Sequence, residues 1–246
     1  MQAKWGSHGD YQVIALSPWS VQEMYDLTVE AFNLAEHYRV PVFLMGEEAI
    51  GHLRERMEVR EKVKVFERKK RPGAPPFGAK RKDGIPPMPA FGDGEKLLVT
   101  GSTHNERGVR KTDDPEAHAR LVTRINNKIL LQRERIIQTE SYYLDNAEVV
   151  VVSYGFTARS SLFAVNQLRG EGKRVGFLRL KTIWPFADRI IQELGTAKKL
   201  LVPERNRGQI LGEVMKYADG EVIPYHQTDG EVIHPHALIE KLRSLL

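Results

Sequence analysis

The sequence predicts an α/β protein whose last hundred residues form a doubly wound parallel sheet, preceded by the tail of a second α/β domain. Three observations predict it. Short β-branched runs recur at Val149–Ser153, Val175–Leu180, Leu200–Pro203 and Val222–Tyr225. Helical periodicity fills the intervals, near residues 157–168, 187–194, 208–217 and 235–246. The composition is that of a folded chain, with 246 residues of which 41% are hydrophobic and 28% charged. Strand–helix alternation at this spacing makes strands parallel and places helices on both faces of the sheet.

Taken in order, the first element is a buried strand over Tyr11–Leu16. Ser20 then caps a helix, with Glu23 three positions on in the reciprocal arrangement of a capping box. Val21, Met24, Tyr25, Thr28, Ala31, Phe32, Ala35 and Tyr38 follow helical spacing, and Pro41 stops the run before a second strand at Val42–Met45. A short helix is expected over Glu47–Arg56. Two strands seldom make a stable sheet, so residues 1–56 read as the end of a larger domain whose other strands are absent or come from another chain.

Residues 57–144 read as a linker. Arg71–Gly94 holds six of the thirteen prolines and five of the twenty glycines, which forbids a regular ladder. Leu97–Thr100 offers one more strand. Asp114 caps a connecting helix with Pro115 at its first position, and Leu121, Ile125, Ile129 and Ile136 carry an apolar stripe toward Tyr143. Residues 145–246 are the doubly wound domain.

Composition excludes several chemistries. The chain has no cysteine, hence no thiolate for zinc or an ordinary iron–sulfur cluster, no disulfide and no nucleophilic thiol. No apolar run exceeds the four residues of Val149–Val152, far below the ~20 of a membrane helix, and Met1–Asp10 has no signal-peptide core. A cytoplasmic address and no membrane contact are expected. The formal charge of +5 is uneven: Arg60–Lys82 carries ten Lys or Arg against Glu61 and Glu67, leaving −3 for the rest. That stretch could neutralise phosphates, but only Phe66 and Phe77 interleave as aromatics, so solvation or a subunit contact is expected before nucleic acid.

Parallel sheets present ligands at the carboxyl ends of their strands, which singles out the loops Tyr154–Thr157, Lys181–Phe186, Glu204–Gln209 and His226–His234. None contains the glycine pattern of a dinucleotide site. Gly92-Asp93-Gly94 followed by Asn126-Asn127 imitates the Mg²⁺–diphosphate motif of thiamine enzymes. It is rejected on context, because the asparagines sit inside a helical stripe while the metal needs strand-end and loop oxygens. His234-x-His236 and His104-x-Glu106 lack a third ligand, so no metal site is expected.

Several ordered strings resemble the alpha subunit of 2-oxoacid:ferredoxin oxidoreductases, particularly the 2-oxoglutarate type. They are Met1-to-Asp10 (MQAKWGSHGD), Ser20-to-Met24, Ala31-to-Glu36, Pro87-to-Gly94 (PMPAFGDG) and Thr100-to-Gly108 (TGSTHNERG). Ser153-to-Arg159 (SYGFTAR), Thr182-to-Phe186 (TIWPF) and Val202-to-Gln209 (VPERNRGQ) complete the set, which spans nearly the whole chain.

The resemblance implies an enzyme that decarboxylates a 2-oxoacid with thiamine diphosphate, reduces ferredoxin through iron–sulfur clusters and releases an acyl-CoA. It implies that residues 1–56 belong to the pyrimidine-type thiamine-diphosphate domain and residues 145–246 to a transketolase C-terminal-like domain. The diphosphate, Mg²⁺ and clusters would lie in a beta subunit and a ferredoxin-like subunit, within a homo-dimerised hetero-oligomer that uses coenzyme A as substrate. The family's Tyr-Pro-Ile-Thr-Pro motif and its Arg-Gly-Gly-Pro-Ser-Thr substrate loop precede the position of Met1 in that pattern, so this segment is expected to be inactive alone. His8 and Asp10 are the catalytic candidates, His8 as hydrogen-bond donor or proton exchanger and Asp10 as its orienter. Gly9, Thr182, Trp184, Pro185, Phe186, Glu204, Asn206 and Gln209 are the candidate substrate or coenzyme edge. Two other readings remain: a non-catalytic module that grips an acidic partner with the basic arm, and a transketolase-like thiamine subunit without an iron–sulfur partner.

Overall fold

The computed structural model describes residues 1–68, 71–79, 82–196 and 199–246. Chain order runs α1 (Gln2–Trp5), β1 (Ile14–Leu16), α2 (Val21–Tyr38), β2 (Val42–Leu44), α3 (Glu48–Gly51), α4 (Pro115–Leu130), α5 (Arg133–Ile136) and β3 (Thr139–Tyr142). It continues with β4 (Val149–Ser153), α6 (Gly155–Gly170), β5 (Val175–Leu180), β6 (Thr182–Trp184), α7 (Asp188–Glu193), β7 (Lys199–Glu204), α8 (Leu211–Tyr217), β8 (Glu221–His226) and α9 (Pro235–Arg243). No helix among the described residues is long and apolar enough to cross a membrane.

The larger sheet has the order β3-β5-β4-β7-β8. Four strands are mutually parallel and β3 pairs antiparallel at the edge. Because successive side chains of a strand point to opposite faces, β4 feeds two cores. Val150 and Val152 pack with Ile191 of α7 and Val214 of α8, whereas Val149 and Val151 pack with Leu168 of α6 and Leu238 of α9. Helices therefore cover both faces. All five residues of β4 and all six of β5 are buried, as a central parallel strand requires.

The small sheet corrects an expectation. Its order is β2-β1-β6, and the third strand comes from the chain's own C-terminal half. β6 runs antiparallel to β1, and Ser17 N–H donates to the Lys181 carbonyl at 2.7 Å. Ile14 and Leu16 pack beneath α2 with Leu27, Leu34, Ile129 and Ile136, while Val13 and Ala15 join the core of the larger sheet. One strand thus belongs to two cores and fuses the two halves.

Helix α2 starts where expected, Ser20 Oγ accepting from Glu23 N–H at 3.2 Å, but Glu23 reaches back to Trp19 N–H instead of closing the box. Asp114 caps α4 through Ala117 N–H at 2.8 Å, with Pro115 in the first turn.

Three other predicted elements differ. The helix expected over Glu47–Arg56 is only α3, because Glu47 and Glu55 are drawn outward as acceptors, Glu55 to Val21 N–H and Arg159. Leu97–Thr100 forms no strand: Leu98 and Val99 are exposed and no described neighbour pairs with them. The connecting helix ends at Leu130, and the stretch short of Tyr143 becomes β3, held against β5 with Glu140 opposite Arg179.

Candidate functional site

Strand order turns back on itself at β4: β5 lies to one side, β7 and β8 to the other. At such a switch point the loops leaving adjacent strands diverge and leave a crevice at their carboxyl ends. Here the diverging loops begin at Tyr154 and Arg205, and a cleft of about 500 Å³ opens between them and the small sheet.

The first turn of α6 is closed by a residue from the other half of the chain. Glu47 Oε1 accepts from Phe156 N–H at 2.7 Å, and its Oε2 pairs with Arg205 Nη1 at 3.1 Å. A helix N-terminus carries partial positive charge and bare N–H groups, so this carboxylate stands where a phosphate would bind in a nucleotide-binding relative of the fold. The close approach demands glycine at 155: φ is +55° and a Cβ there would lie 1.9 Å from Glu47 Oε1. Arg205 is spent on the same latch, donating also to the carbonyls of Gly230 and Glu231 at 2.5 and 3.0 Å.

Glu204 is only 1% exposed, and its carboxylate accepts from Ile210 N–H at 3.0 Å, Leu211 N–H at 2.9 Å and the Tyr154 hydroxyl at 2.7 Å. Burial, and then the Glu204 charge, push the Tyr154 phenol well above its ordinary range, which keeps it a donor. Asn206 Nδ2 donates to the same phenol oxygen at 3.0 Å while its Oδ1 accepts from Gly208 and Gln209 N–H. The result is a loop cross-braced by its own side chains, with Tyr154, Asn206 and Gln209 lining the cleft.

The expected edge residues divide. Trp184, Glu204, Asn206 and Gln209 line the cleft. Thr182 is fully buried, accepting from Gln138 N–H and donating to the Ile136 carbonyl, so it fastens the start of β6. Phe186 belongs to the core, stacked on Tyr217 at 5.9 Å, and Pro185 is joined to Trp184 by a cis peptide bond. Thr182, Pro185 and Phe186 support the wall without lining it. His8, Gly9 and Asp10 lie outside the cleft, all exposed, in the loop between α1 and β1, with Gly9 at φ +82°. No hydrogen bond or ion pair joins Asp10 to His8 among the described residues; the Asp10 carbonyl instead accepts from Asn126.

Glu47 was not foreseen, since nothing local in the sequence marks a loop carboxylate destined for a helix 109 positions away. The exposed edge near Lys4 adds a cation: its ammonium lies over the Trp5 and Trp184 rings at 5.3 and 5.5 Å, and burial lowers its pKa.

The cleft does not fit a metal-bound diphosphate. No group of three or more His, Cys, Asp or Glu able to hold a metal occurs among the described residues, all three Arg205 nitrogens already donate to protein oxygens, and the α6 N-terminus is taken by Glu47. Gly92-Asp93-Gly94 forms a turn, with Asp93 accepting from Ala90 N–H at 2.7 Å, and Asn126 lies within α4. His234 caps α9.

A parallel α/β chain with a ligand-sized crevice at its switch point, walled by a second α/β layer, is the architecture of a ligand-binding α/β protein. Residues 1–124 match the family described as pyruvate flavodoxin/ferredoxin oxidoreductase, thiamine-diphosphate-binding, and residues 147–238 match pyruvate:ferredoxin oxidoreductase core domain II. The chain belongs to the 2-oxoacid:ferredoxin oxidoreductase family. It is 44% identical to the 2-oxoglutarate synthase subunit KorA of Methanothermobacter marburgensis, a match covering 100% of this chain and 67% of that protein. The KorA subunit of Methanothermobacter thermautotrophicus is 46% identical, over 98% of this chain and 66% of the relative. A solved 2-oxoglutarate:ferredoxin oxidoreductase from Magnetococcus marinus, with 2-oxoglutarate, coenzyme A and succinyl-CoA bound, superposes with a TM-score of 0.90 at 26% identity. That likeness covers 99% of this chain and 44% of the solved one. The chain thus spans about two thirds of the length of the curated relatives it matches.

Proposed function

We propose that this chain is the alpha-side component of an enzyme that oxidatively decarboxylates 2-oxoglutarate to succinyl-CoA while reducing ferredoxin. The observation that carries the reading is identity of 44–46% with 2-oxoglutarate synthase subunits along virtually the whole chain. In this reading a beta subunit supplies most of the thiamine-diphosphate and Mg²⁺ ligands, because the crevice lacks them, and iron–sulfur clusters lie in partner chains, because this one has no cysteine. The decarboxylation chemistry is the cofactor's.

This chain's own residues bind and orient. Trp184 and Gln209 offer an aromatic wall and an amide to coenzyme A or a neighbouring subunit, and Tyr154 and Glu204 hold Asn206 in place. His8 lies in an exposed loop where a partner's half of the site can meet it, and its role is a hydrogen bond to the 2-oxoacid carbonyl oxygen. The test is co-expression with a beta subunit and a ferredoxin-like subunit. One arm adds a preceding segment carrying the Tyr-Pro-Ile-Thr-Pro and Arg-Gly-Gly-Pro-Ser-Thr motifs, and the other does not. Reduction of a low-potential dye that requires both 2-oxoglutarate and coenzyme A in the first arm is the expected result; an intact, cluster-loaded complex with no such activity sinks the reading.

A further inference from the structure

The segment after α3 has the composition of a β-strand but no strand partner. Residues 56–65 are all exposed, among them Val59, Val63 and Val65 at 65%, 38% and 68%. The run Val59-Arg-Glu-Lys-Val-Lys-Val-Phe66 is rich in the residues that favour strands, yet residues 54–68 make no backbone–backbone hydrogen bond among the described residues.

The segment is nonetheless held extended along one stripe of α2. Gln22 exchanges both amide bonds with Glu58, at 2.7 and 3.2 Å, and Asp26 pairs with Arg60 at 2.9 Å. Asn33 bridges the Lys64 carbonyl and Phe66 N–H at 2.8 and 2.7 Å, and Glu36 binds Arg68 through two bonds of 2.6 Å. Positions 22, 26, 33 and 36 share one helix face, so α2 acts as a rail parallel to the arm. A strand's main-chain groups alternate in direction with period 2. With residues 58, 64 and 66 turned to the rail, the N–H and C=O groups of Val59, Val63 and Val65 face away from it, and none of them has a partner among the described residues. A bend at Glu61–Lys62 separates Val59 from the other two.

We propose that this arm is a docking edge for an acidic, extended segment of the partner subunit, paired through the main chain of Val63 and Val65. The inference rests on the assembly reading above. Charge selects the occupant: Lys62 and Lys64 flank Val63 and form no ion pair among the described residues, and the surrounding stretch Arg60–Lys82 carries +8. A second copy of this chain would set lysines against lysines, which cross-strand pairing disfavours, whereas Glu or Asp opposite them favours it. Main-chain addition to an open edge supplies affinity, and the valines supply the apolar contact.

Amide hydrogen exchange on the co-expressed complex, compared with the chain alone, tests it. Protection of the Val63 and Val65 amides is expected to rise at least ~10-fold in the complex. Val63→Pro, which deletes a donor, should lower complex yield, Val63→Thr should not, and Lys62→Glu with Lys64→Glu should lower it while the circular dichroism of the chain stays unchanged. A stable complex in which both amides exchange as fast as in the free chain overturns the inference and leaves the assembly reading standing. Protection already present in the free chain, with dimeric mass, overturns it in favour of self-pairing. Failure to form any complex sinks both.

Discussion

Residues 149–226 and residues 53–113 hold their main chains by opposite means. The first region satisfies itself: β4, β5, β7 and β8 bond to one another in continuous parallel register, and their side chains fill two cores. The second holds few backbone pairs among the described residues, such as the bridge between His104 and Arg110, and its stretch 58–68 is fastened by side chains of α2 acting as stand-ins for a neighbouring strand. A ladder loses its stability cooperatively, whereas side-chain clasps release one at a time. The difference teaches where substitutions should be felt globally and where only locally.

The largest effect is expected at the seam between the halves. Arg179 of β5 is fully buried, pairs with Glu23 of α2 and with Glu140 of β3 at 2.9 Å, and stacks on the Trp19 ring at 3.7 Å. Arg179→Met would leave the partly buried Glu23 carboxylate with only Lys181 at 3.1 Å and Trp19 N–H as partners among the described residues, a loss toward the lower end of the about 3–5 kcal/mol that breaking a buried pair costs. Urea unfolding should show that loss in a single transition; separate transitions for the two halves would break the claim that they are fused. Burial pushes the Glu23 pKa up, but the Arg179 and Lys181 hydrogen bonds and charges outweigh it, so the net shift is downward. A carboxyl depressed in the folded state stabilises above its unfolded pKa and loses that contribution as pH falls through the folded value. Wild-type stability should therefore drop in acid below the ordinary glutamate range, and Arg179→Met should show a smaller drop, because Lys181 alone still favours the carboxylate.

Next comes Gly155→Ala. A Cβ at φ +55° collides with Glu47 Oε1, so either the α6 turn or the Glu47–Arg205 latch must move. A loss of about 2–4 kcal/mol is expected from the left-handed backbone and the displaced carboxylate together. Pairing it with Glu47→Ala, which clears the obstruction, should recover the steric part. If the double variant is as unstable as the sum of the two single ones, the latch is not what glycine serves.

A third effect is a slope with pH. Lys128 of α4 is 5% exposed and donates to the Arg39 carbonyl at 2.5 Å, capping the end of α2. Burial, and then the charge of Arg124, lower its pKa from 10.5 to about 8. Its unfolded form therefore binds more protons between about pH 8 and 10.5, and stability should rise with pH there by up to about 1.4 kcal/mol per unit. Lys128→Met should flatten that rise; an unchanged slope would show that the ammonium reaches water.

These sites also mark what the sequence made legible. β4 and β5 were plain because a strand buried on both faces must be apolar throughout, and α2 and α4 because Ser20, Asp114 and Pro115 are local signals. β3 was hidden: Thr-Glu-Ser-Tyr is half exposed at a sheet edge, and its reason for being a strand is the Glu140–Arg179 pair, 39 positions apart. β6 has the local pattern of a ligand loop, and only its partner β1, in the other half of the chain, makes it a strand. Within the crevice, the loop from Glu204 to Gln209 was visible because strand ends announce themselves, whereas Glu47 reaches its site by tertiary folding alone.

The smallest global effect belongs to the arm, and it separates the two regions most cleanly. Asn33→Ala removes the clasp on Lys64 and Phe66 but leaves Gln22, Asp26 and Glu36 holding their partners, and Phe66 keeps its ring contact with His37 at 4.6 Å. Because the freed groups are near water, overall stability should change by no more than about 0.5 kcal/mol. Exchange of the Phe66 amide should nevertheless approach that of an unfolded chain, while the amides of Val150 to Val152 keep the protection set by global unfolding. Coupled acceleration in both places would mean that the clasps belong to the same cooperative unit as the ladder, and the distinction between a self-sufficient sheet and a side-chain-held arm would fail.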